Sequence, residues 1–322
     1  MTDSITQAAE LLRSGGVVAF PTETVYGLGA DAADPQAVAR IFAIKGRPAD
    51  HPLIVHLADP VQMYQWAREI PVAAFTLAEW FWPGPLTLIL SRQQGVSDLV
   101  TGGQDTIGLR IPAHPVALAM LRSFGGGVAA PSANRFGRIS PTTAAHVLQE
   151  LGDKVDLILE GGDCRVGLES TILDLTGEHP AILRPGGITA EQLSEALGET
   201  VGLFAATDKQ IRVPGMLKSH YAPNSPLQLV SLTELPDVIS IHLKTGSSVA
   251  VMTCFASHNF DLPGCRVIRM PTDPTDYGRT LYSTLRMLDE SGPELILAEA
   301  PPDSPPWLAV NDRLQRAACT AH

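Results

Sequence analysis

The sequence predicts an α/β protein with two domains, and three observations support this prediction. The chain has 322 residues, which is enough for two separate cores. Apolar residues make up 45% of the chain and charged residues 18%, a composition typical of globular rather than disordered proteins. Short apolar runs alternate with segments of helical character on both sides of a proline-rich stretch.

The first predicted domain comprises residues 1–206 and mixes strands with helices. Asp34, followed by a proline, predicts a helix that begins with an N-cap, and Ser140, also followed by a proline, predicts another. Residues 189–192 have the pattern of a capping box, which predicts a third helix. Short apolar runs predict buried strands at 17–20, 86–90, 128–130, 157–159 and 171–175.

A linker and a smaller domain follow. Residues 207–226 are predicted to be a linker, because proline recurs there without helical or strand periodicity. Residues 227–322 are predicted to form a smaller parallel α/β domain. Its expected strands are 227–231, 249–254, 266–270 and 295–298, and its expected helices are about 277–289 and 308–318.

Charge and cysteine content argue against several classes of protein. The net charge is −11 and both halves of the chain are acidic, unlike a protein that binds nucleic acid on its own. The four cysteines form no C-x-x-C pair, which argues against a zinc site or a disulfide framework. No run approaches the ~18 apolar residues of a membrane helix, and the first residues lack signal-peptide features. We therefore expect a cytoplasmic protein without membrane association.

The sequence lacks the common catalytic motifs, and polar residues at strand ends stand out instead. It contains no H-E-x-x-H, G-x-S-x-G, Walker A or dinucleotide-binding motif. The segment PTETVYGLGAD, residues 21–31, follows a predicted buried strand and can present hydroxyls and backbone amides to a ligand. A polar turn punctuated by glycine explains the same residues equally well.

Several charged positions leave a structural and a functional interpretation open. Lys45 and Arg47 end a predicted helix. Cations at that position either interact favourably with the helix dipole or bind phosphate. His56 ends a short apolar strand, where a structural histidine is the commoner case. Arg110 lies in a strand beside apolar neighbours, so it needs an anionic partner, either a protein carboxylate or a substrate carboxylate.

Six segments, in this order, resemble the successive signatures of the YrdC-type threonylcarbamoyl-AMP synthases. They are PTETVYGLGAD, KGRP with HPLIVH, TIGLR, PSAN, ESTILDL and LRPGG. The segment RVPGMLKSHYAP and the trailing α/β domain resemble the longer, two-domain form of that family. The resemblance covers essentially the whole chain, and its motifs are specific as a set rather than one by one.

The resemblance implies a fold, a reaction and partners. The first domain would be a twisted α/β sheet with a concave site, followed by a Rossmann-like domain. The enzyme would be a nucleotidyltransferase that joins L-threonine, bicarbonate and ATP into L-threonylcarbamoyl-AMP and releases pyrophosphate, with Mg²⁺ accompanying ATP. A separate transferase complex would use the product to make threonylcarbamoyladenosine in tRNA, and weak direct contact with tRNA stays open.

The resemblance also implies site residues, carried over motif by motif. The implied threonine-binding residues are Thr24, His56, Arg110, Ala130 and Ser170. The implied ATP-binding residues are Arg47, His51, Thr106, Ser132, Ser140, Arg184 and Tyr221, with Lys45 and Arg47 on the phosphate side as catalytic cations. Many relatives carry asparagine where this chain has His51, so that assignment departs from the family pattern. No protein metal ligands are implied.

Two other functions compete with this interpretation. A carbamoyl transferase of the hydrogenase-maturation type contains a related domain, but it also carries zinc-finger cysteine pairs, which this sequence lacks. An RNA-binding module using the concave face is the second alternative. The acidic composition and the lack of clustered aromatic and basic residues weigh against it.

Overall fold

The computed structural model describes residues 2–203, 211–217, 219–256 and 263–319, and it divides into two compact units. Unit 1 contains Met1–Phe136 and Ser140–Met216. Unit 2 contains Gly137–Ile139 and Leu217–His322. The domain boundary expected at 206/207 and the expected linker residues 207–210 and 218 lie outside the described residues.

Unit 1 alternates helices and strands in the described part of the chain. Its helices are α1 (Thr2–Arg13), α2 (Pro35–Lys45), α3 (Met63–Trp66), α4 (Val72–Phe81), α5 (Asp98–Thr101), α6 (Pro115–Phe124), α7 (Ala144–Leu151) and α8 (Ala190–Leu197). Its strands are β1 (Val18–Phe20), β2 (Gly27–Asp31), β3 (Ile54–His56), β4 (Leu86–Ser91), β5 (Thr106–Arg110), β6 (Val128–Ala129), β7 (Leu157–Ile158), β8 (Thr171–Asp174), β9 (Ala181–Arg184) and β10 (Gly202–Leu203).

These strands form one mixed sheet with helices packed against it. The described strands form a 10-stranded sheet in the order β10-β9-β8-β4-β5-β3-β6-β2-β1-β7. The central strand β5 is parallel to β3 and antiparallel to β4. A large apolar core fills the space between the sheet and helices such as α2, and a second cluster joins α1 to α6. The α/β fold predicted for the first domain is confirmed.

Several predicted elements agree with the structure because their local signals are strong. Asp34 caps α2 by accepting a hydrogen bond from the Gln36 amide, and Gly46 ends that helix in the left-handed conformation. Thr189 and Gln192 form the expected capping box of α8. In each case the signal lies within one helical turn, so tertiary contacts do not override it.

One predicted helix start is wrong. No helix begins at Ser140; α7 begins at Ala144, with Thr143 as the N-cap that accepts from the His146 amide. The Ser140 hydroxyl instead donates to the Glu169 carboxylate at 2.6 Å. That bond joins residues distant in sequence, so a local pattern could not reveal it.

A short linker segment covers part of one sheet face within unit 1. Val213 is buried against four aliphatic side chains of the sheet, and Ile211 packs beside it. The four are Ile54, Ile89, Ile172 and Leu183, on strands β3, β4, β8 and β9. Ile211 and Val213 therefore form an apolar cover over this face of the sheet.

Unit 2 is a smaller parallel α/β domain, as predicted. Its described strands β11 (Leu227–Val230), β12 (Val249–Thr253), β13 (Cys265–Arg269) and β14 (Leu295–Glu299) form a parallel sheet in the order β11-β14-β12-β13. Its helices are α9 (Leu235–Lys244), α10 (Pro274–Asp289) and α11 (Leu308–Ala318). Helix α10 begins three residues before the predicted position, because Asp273 caps it and a proline follows. None of the described helices is long and apolar enough to cross a membrane.

Candidate active site

The site is built around Arg110, a buried arginine at the end of β5. Its guanidinium donates from Nε to the Gly84 carbonyl oxygen at 3.2 Å and from Nη1 to Thr24 Oγ1 at 3.0 Å. Nη2 donates to Glu23 Oε1 at 2.7 Å. The anionic protein partner left open by the sequence is therefore Glu23. Three of the five N–H groups of the guanidinium are engaged in these bonds, so two remain for a ligand.

The hydroxyl of Thr24 has a defined hydrogen-bonding role. Thr22 Oγ1 donates to the Val25 carbonyl oxygen at 2.6 Å, so its own proton is used there. The Thr24 hydroxyl lies 2.8 Å from Thr22 Oγ1 and accepts from Arg110. Thr22 Oγ1 also accepts from the amides of Thr24 and Val25, each at 3.2 Å. One lone pair of Thr24 is left over. Thr24 therefore keeps one lone pair with which it can accept a hydrogen bond from a ligand.

A second set of polar side chains continues the site along the sheet. Ser170 Oγ lies 2.8 Å from Thr87 Oγ1, and Arg184 Nη2 donates to the Ser170 carbonyl oxygen at 2.8 Å. In the antiparallel β4–β5 ladder Leu88 pairs with Leu109. Thr87 and Arg110 come next on the two strands, so they lie opposite each other. The structure thus brings Arg110, Ser170 and Arg184 into one row across adjacent strands.

His56 stands opposite Arg110 in the parallel β3–β5 ladder. Burial, and then the positive charge of Arg110, lower the pKa of His56 to about 3. The imidazole is therefore neutral at physiological pH. It can accept or donate a hydrogen bond there but cannot supply a positive charge.

The cations at the end of α2 form a second group. The ammonium of Lys45 donates to the backbone carbonyl oxygens of Ser132 and Asn134, and burial holds the pKa of Lys45 well below its usual value. The Arg47 guanidinium lies over the Phe136 ring, 5.7 Å from its centroid. The ring of His51 lies 5.3 Å from that same ring. Residues 45–51 and 132–136 are therefore held together.

The linker segment reaches both groups within unit 1. Arg184 Nη1 donates to the Pro214 carbonyl oxygen at 2.8 Å. Two residues earlier, Arg212 lies 3.5 Å from the Asp50 carboxylate and donates to the Gly102 carbonyl oxygen at 2.7 Å. The segment therefore spans from the loop that carries His51 to the arginine at the end of β9.

Comparison with known proteins identifies the family to which this site belongs. Residues 10–186 match the Sua5/YciO/YrdC domain family, described as telomere recombination, and residues 188–319 match the threonylcarbamoyl-AMP synthase C-terminal domain. The chain is 40% identical to the threonylcarbamoyl-AMP synthase of Pyrococcus abyssi, over 96% of this chain and 92% of that protein. The chain belongs to the two-domain threonylcarbamoyl-AMP synthase family.

Two further comparisons agree with this assignment. The chain is 42% identical to the threonylcarbamoyl-AMP synthase of Bacillus subtilis, over 98% of this chain and 92% of that protein. It also resembles the crystal structure of Pyrococcus abyssi Sua5 complexed with L-threonine, with a TM-score of 0.91 and 40% identity. That similarity covers 99% of this chain and 95% of the other. The similarity therefore extends through both domains of this threonylcarbamoyl-AMP synthase family member.

Three other residues implied by the family resemblance make their described hydrogen bonds or ladder contacts outside the Arg110 row. Thr106 is at the opposite end of β5, about 13 Å along the strand from Arg110, although the two side chains share a face. Ser140 is fully buried and bonded to Glu169. The amide of Ala130 donates to the Ile54 carbonyl oxygen, which leaves only its own carbonyl for a ligand.

Tyr221 belongs to unit 2. Its ring stacks on Tyr282 with centroids 5.6 Å apart, and the Arg313 guanidinium lies 5.5 Å from its centroid. Its backbone has φ = 62°, a left-handed conformation that is uncommon for a residue with a side chain. Tyr221 is thus held within its own unit, and its contact with nucleotide stays a prediction.

Sequence reasoning did not assign roles to several residues that the structure places beside the site. Glu23 binds Arg110, Thr87 binds Ser170, and Arg212 anchors the linker segment. The only signal for Glu23 was a carboxylate between two threonines in a motif that follows a strand. No sequence pattern indicated a role for Thr87 or Arg212, because their partners Ser170 and Asp50 are distant in sequence.

Proposed function

We propose that this chain is a cytoplasmic L-threonylcarbamoyl-AMP synthase, which condenses L-threonine, bicarbonate and ATP and releases pyrophosphate. The names of its two-domain relatives support this function. The observation that carries the proposal is the buried cluster of Arg110, Thr24 and Ser170 beside His56. It offers a fixed cation and several hydroxyls within one dry region of the sheet, as an amino acid substrate requires.

The threonine end of the site would use the Arg110 row. The two N–H groups of Arg110 that remain can bind a carboxylate as a fork. Thr24 can accept a hydrogen bond from the amine or the hydroxyl of threonine. Polar partners for the hydroxyl favour threonine over valine, because an apolar isostere would leave them unpaired. The relative that was crystallised with L-threonine supports the same ligand class.

The nucleotide end would use the cations around α2 together with Arg184. Arg47, His51 and Ser132 are less deeply buried than the Arg110 row or lie at loop ends, where a larger ligand can reach them. Arg47 and Arg184 carry permanent charge and forked donors suited to phosphate. Lys45 contributes by holding the loop of Ser132 and Asn134 against α2.

The chemistry needs no enzyme nucleophile. The amine of threonine, once deprotonated, attacks the carbon of carbon dioxide or bicarbonate, and water leaves when bicarbonate is the donor. A carbamate oxygen then attacks the α-phosphorus of ATP, and the bond to the bridging oxygen breaks to release pyrophosphate. Because the carbamate is short-lived in water, the deep burial of the Arg110 row favours its survival.

Magnesium would enter with the nucleotide. Among the described residues no three His, Cys, Asp or Glu side chains group as metal ligands. Mg²⁺ in such sites is commonly held by substrate phosphates and water, and it would neutralise charge that develops on them. The product would pass to a threonylcarbamoyl transferase complex that modifies tRNA.

Pyrophosphate release tests this function. Purified protein is mixed with MgATP, and pyrophosphate is measured with both L-threonine and bicarbonate, with each alone, and with valine in place of threonine. We expect release only when threonine and bicarbonate are both present. Release that is independent of threonine, or binding of tRNA without any threonine-dependent reaction, would refute the proposal.

A further inference from the structure

The carboxylate of Glu23 is the closest charged neighbour of Arg110 within unit 1. Its Oε1 accepts from Arg110 at 2.7 Å, and its Oε2 accepts from the Ala113 amide at 2.9 Å. The side chains of Arg110 and Glu23 are 5% and 8% exposed. Solvent therefore screens this ion pair poorly, and its charges act strongly on anything bound beside them.

This ion pair changes which ligands Arg110 can bind well. A carboxylate that approaches the remaining N–H groups of Arg110 is attracted by the guanidinium and repelled by Glu23 a few ångströms away. A ligand whose only charged group is a carboxylate therefore gains little net electrostatic binding energy from this site. A zwitterion also carries an ammonium next to its carboxylate, and Glu23 attracts that positive charge.

We propose that Glu23 is a specificity-determining residue that makes the Arg110 site select zwitterionic α-amino acids over plain carboxylates. The inference rests on the proposed function, since it takes Arg110 as the group that binds the substrate carboxylate. Glu23 acts through its charge and through the orientation it gives Arg110, and the Ala113 amide holds it in place. Bicarbonate also presents a planar oxyanion to these N–H groups, and the reaction must not bind it at the carboxylate end.

The chain offers a matched control for a nearby negative charge. Glu23 and Glu160 both line a cavity of about 650 Å³ together with His114 and Gly161. Glu160 accepts from the amides of Gly161 and Gly162 at 3.0 and 2.8 Å. Among the described contacts, those of Glu160 do not include Arg110, so its removal changes the charge of this region without changing the ion pair.

The test compares threonine with (R)-3-hydroxybutyrate, which is threonine without its amine. Binding of each ligand to the full-length protein is measured by calorimetry for wild type, Glu23→Gln, Glu23→Asp and Glu160→Gln. In Glu23→Gln we expect the preference for threonine over hydroxybutyrate to fall by about tenfold or more, because the repulsion of the plain carboxylate is lost. Glu23→Asp keeps the charge and should keep most of the preference. Glu160→Gln should keep all of it.

The outcomes separate this inference from the proposed function. If Glu23→Gln weakens both ligands in parallel and leaves the preference unchanged, Glu23 is only structural and the inference is wrong. An equal loss of preference in Glu160→Gln would also overturn it, because any negative charge in the region would then suffice. If wild-type protein does not bind threonine at all, the proposed function itself fails.

Discussion

At the scale of single residues, buried charged and hydroxyl groups distinguish this molecule. Arg110, His56 and Arg184 are each less than 5% exposed, and such residues are rarely buried without a partner or a function. Their protein contacts fix the direction of each group. In Arg110, two of the five N–H groups remain for a ligand. We interpret that remaining capacity as the means by which substrate is bound.

The first residue-scale prediction concerns the fork geometry of Arg110. We expect Arg110→Lys to weaken threonine binding by about tenfold or more, because one ammonium cannot replace a planar group with five donors. Calorimetric titration with threonine measures the effect. Arg40→Lys is the control, since the Arg40 side chain is 43% exposed and binds Asp156 rather than a residue of the Arg110 row. An unchanged threonine affinity in Arg110→Lys would show that Arg110 does not bind the substrate carboxylate.

The second residue-scale prediction concerns pH. The pKa of His56 is lowered to about 3 by burial and by Arg110, so between about pH 3 and 6.5 the unfolded chain binds more protons than the folded one. The contribution of His56 to stability is therefore complete above pH 6.5 and is lost as pH falls. The expected slope is at most about 1.4 kcal/mol per pH unit.

Denaturant unfolding at pH 7 and pH 5 measures this contribution. We expect His56→Gln to show a smaller loss of unfolding free energy between the two pH values than wild type. His179→Gln is the control, because the His179 side chain is 77% exposed. Equal losses in wild type and His56→Gln would contradict the assignment of a buried neutral imidazole.

At the scale of elements, sequence patterns predicted structure where the signal was local. The capped starts of α2 and α8, the strand that carries Arg110 and the end of α11 all follow from residues a few positions apart. The patterns failed where a segment's structure depends on a partner that is distant in sequence. Residues 21–31 were expected to present polar groups from a loop or a polar turn after the first strand, yet residues 27–31 form β2 by pairing with β1 and β6.

The same distinction applies to the site. The family motifs named Arg110, Ser170 and Arg184. The structure places Arg110 on β5, Ser170 just before β8 and Arg184 on β9, with β4 between β5 and β8. Their partners Glu23 and Thr87 could not be recognised from spacing alone. The first binds Arg110 across 87 residues of sequence and the second binds Ser170 across 83.

An element-scale prediction follows from the close approach of Gly186 to the start of β8. A Cβ at Gly186 would lie 2.3 Å from the Thr171 nitrogen and 2.5 Å from the Ser170 carbonyl carbon. These are backbone atoms, so they cannot rotate away. We expect Gly186→Ala to cost about 1–3 kcal/mol of unfolding free energy and to weaken threonine binding, because Ser170 must shift.

The neighbouring glycine provides the control for this prediction. A Cβ at Gly187 would meet Val166 at 3.4 Å and Pro85 at 3.5 Å, which is ordinary contact. Thermal unfolding and threonine titration of Gly187→Ala should stay close to wild type. If both alanine variants behave alike, the backbone approach at Gly186 does not position Ser170.

At the scale of the whole molecule, the chain combines unit 1, which contains the Arg110 row, with a second α/β unit. Relatives from Mycobacterium tuberculosis match only 62% of this chain yet 92% of their own length, so proteins of about the size of the first domain exist in the family. The linker segment in unit 1 adds the apolar cover of Ile211 and Val213. We expect that cover to matter for excluding water.

Two truncations test the contribution of the linker and unit 2. A chain of residues 1–206 lacks the cover formed by Ile211 and Val213, and a chain of residues 1–216 retains it. We expect both to fold, with the longer one more stable, because apolar burial contributes about 25 cal/mol per Å². Both should turn over poorly, since each lacks Tyr221. Full pyrophosphate release by either truncation would show that Tyr221 and unit 2 are dispensable.

The most direct test of the central claim follows the carbon of bicarbonate. The full-length protein is incubated with MgATP, L-threonine and ¹³C-labelled bicarbonate, and the products are identified by mass spectrometry. We expect threonylcarbamoyl-AMP one mass unit heavier than the unlabelled compound, and none with Arg110→Ala at the same threonine concentration. An adenylate without the label, or labelled product formed equally well by Arg110→Ala, would contradict the central claim.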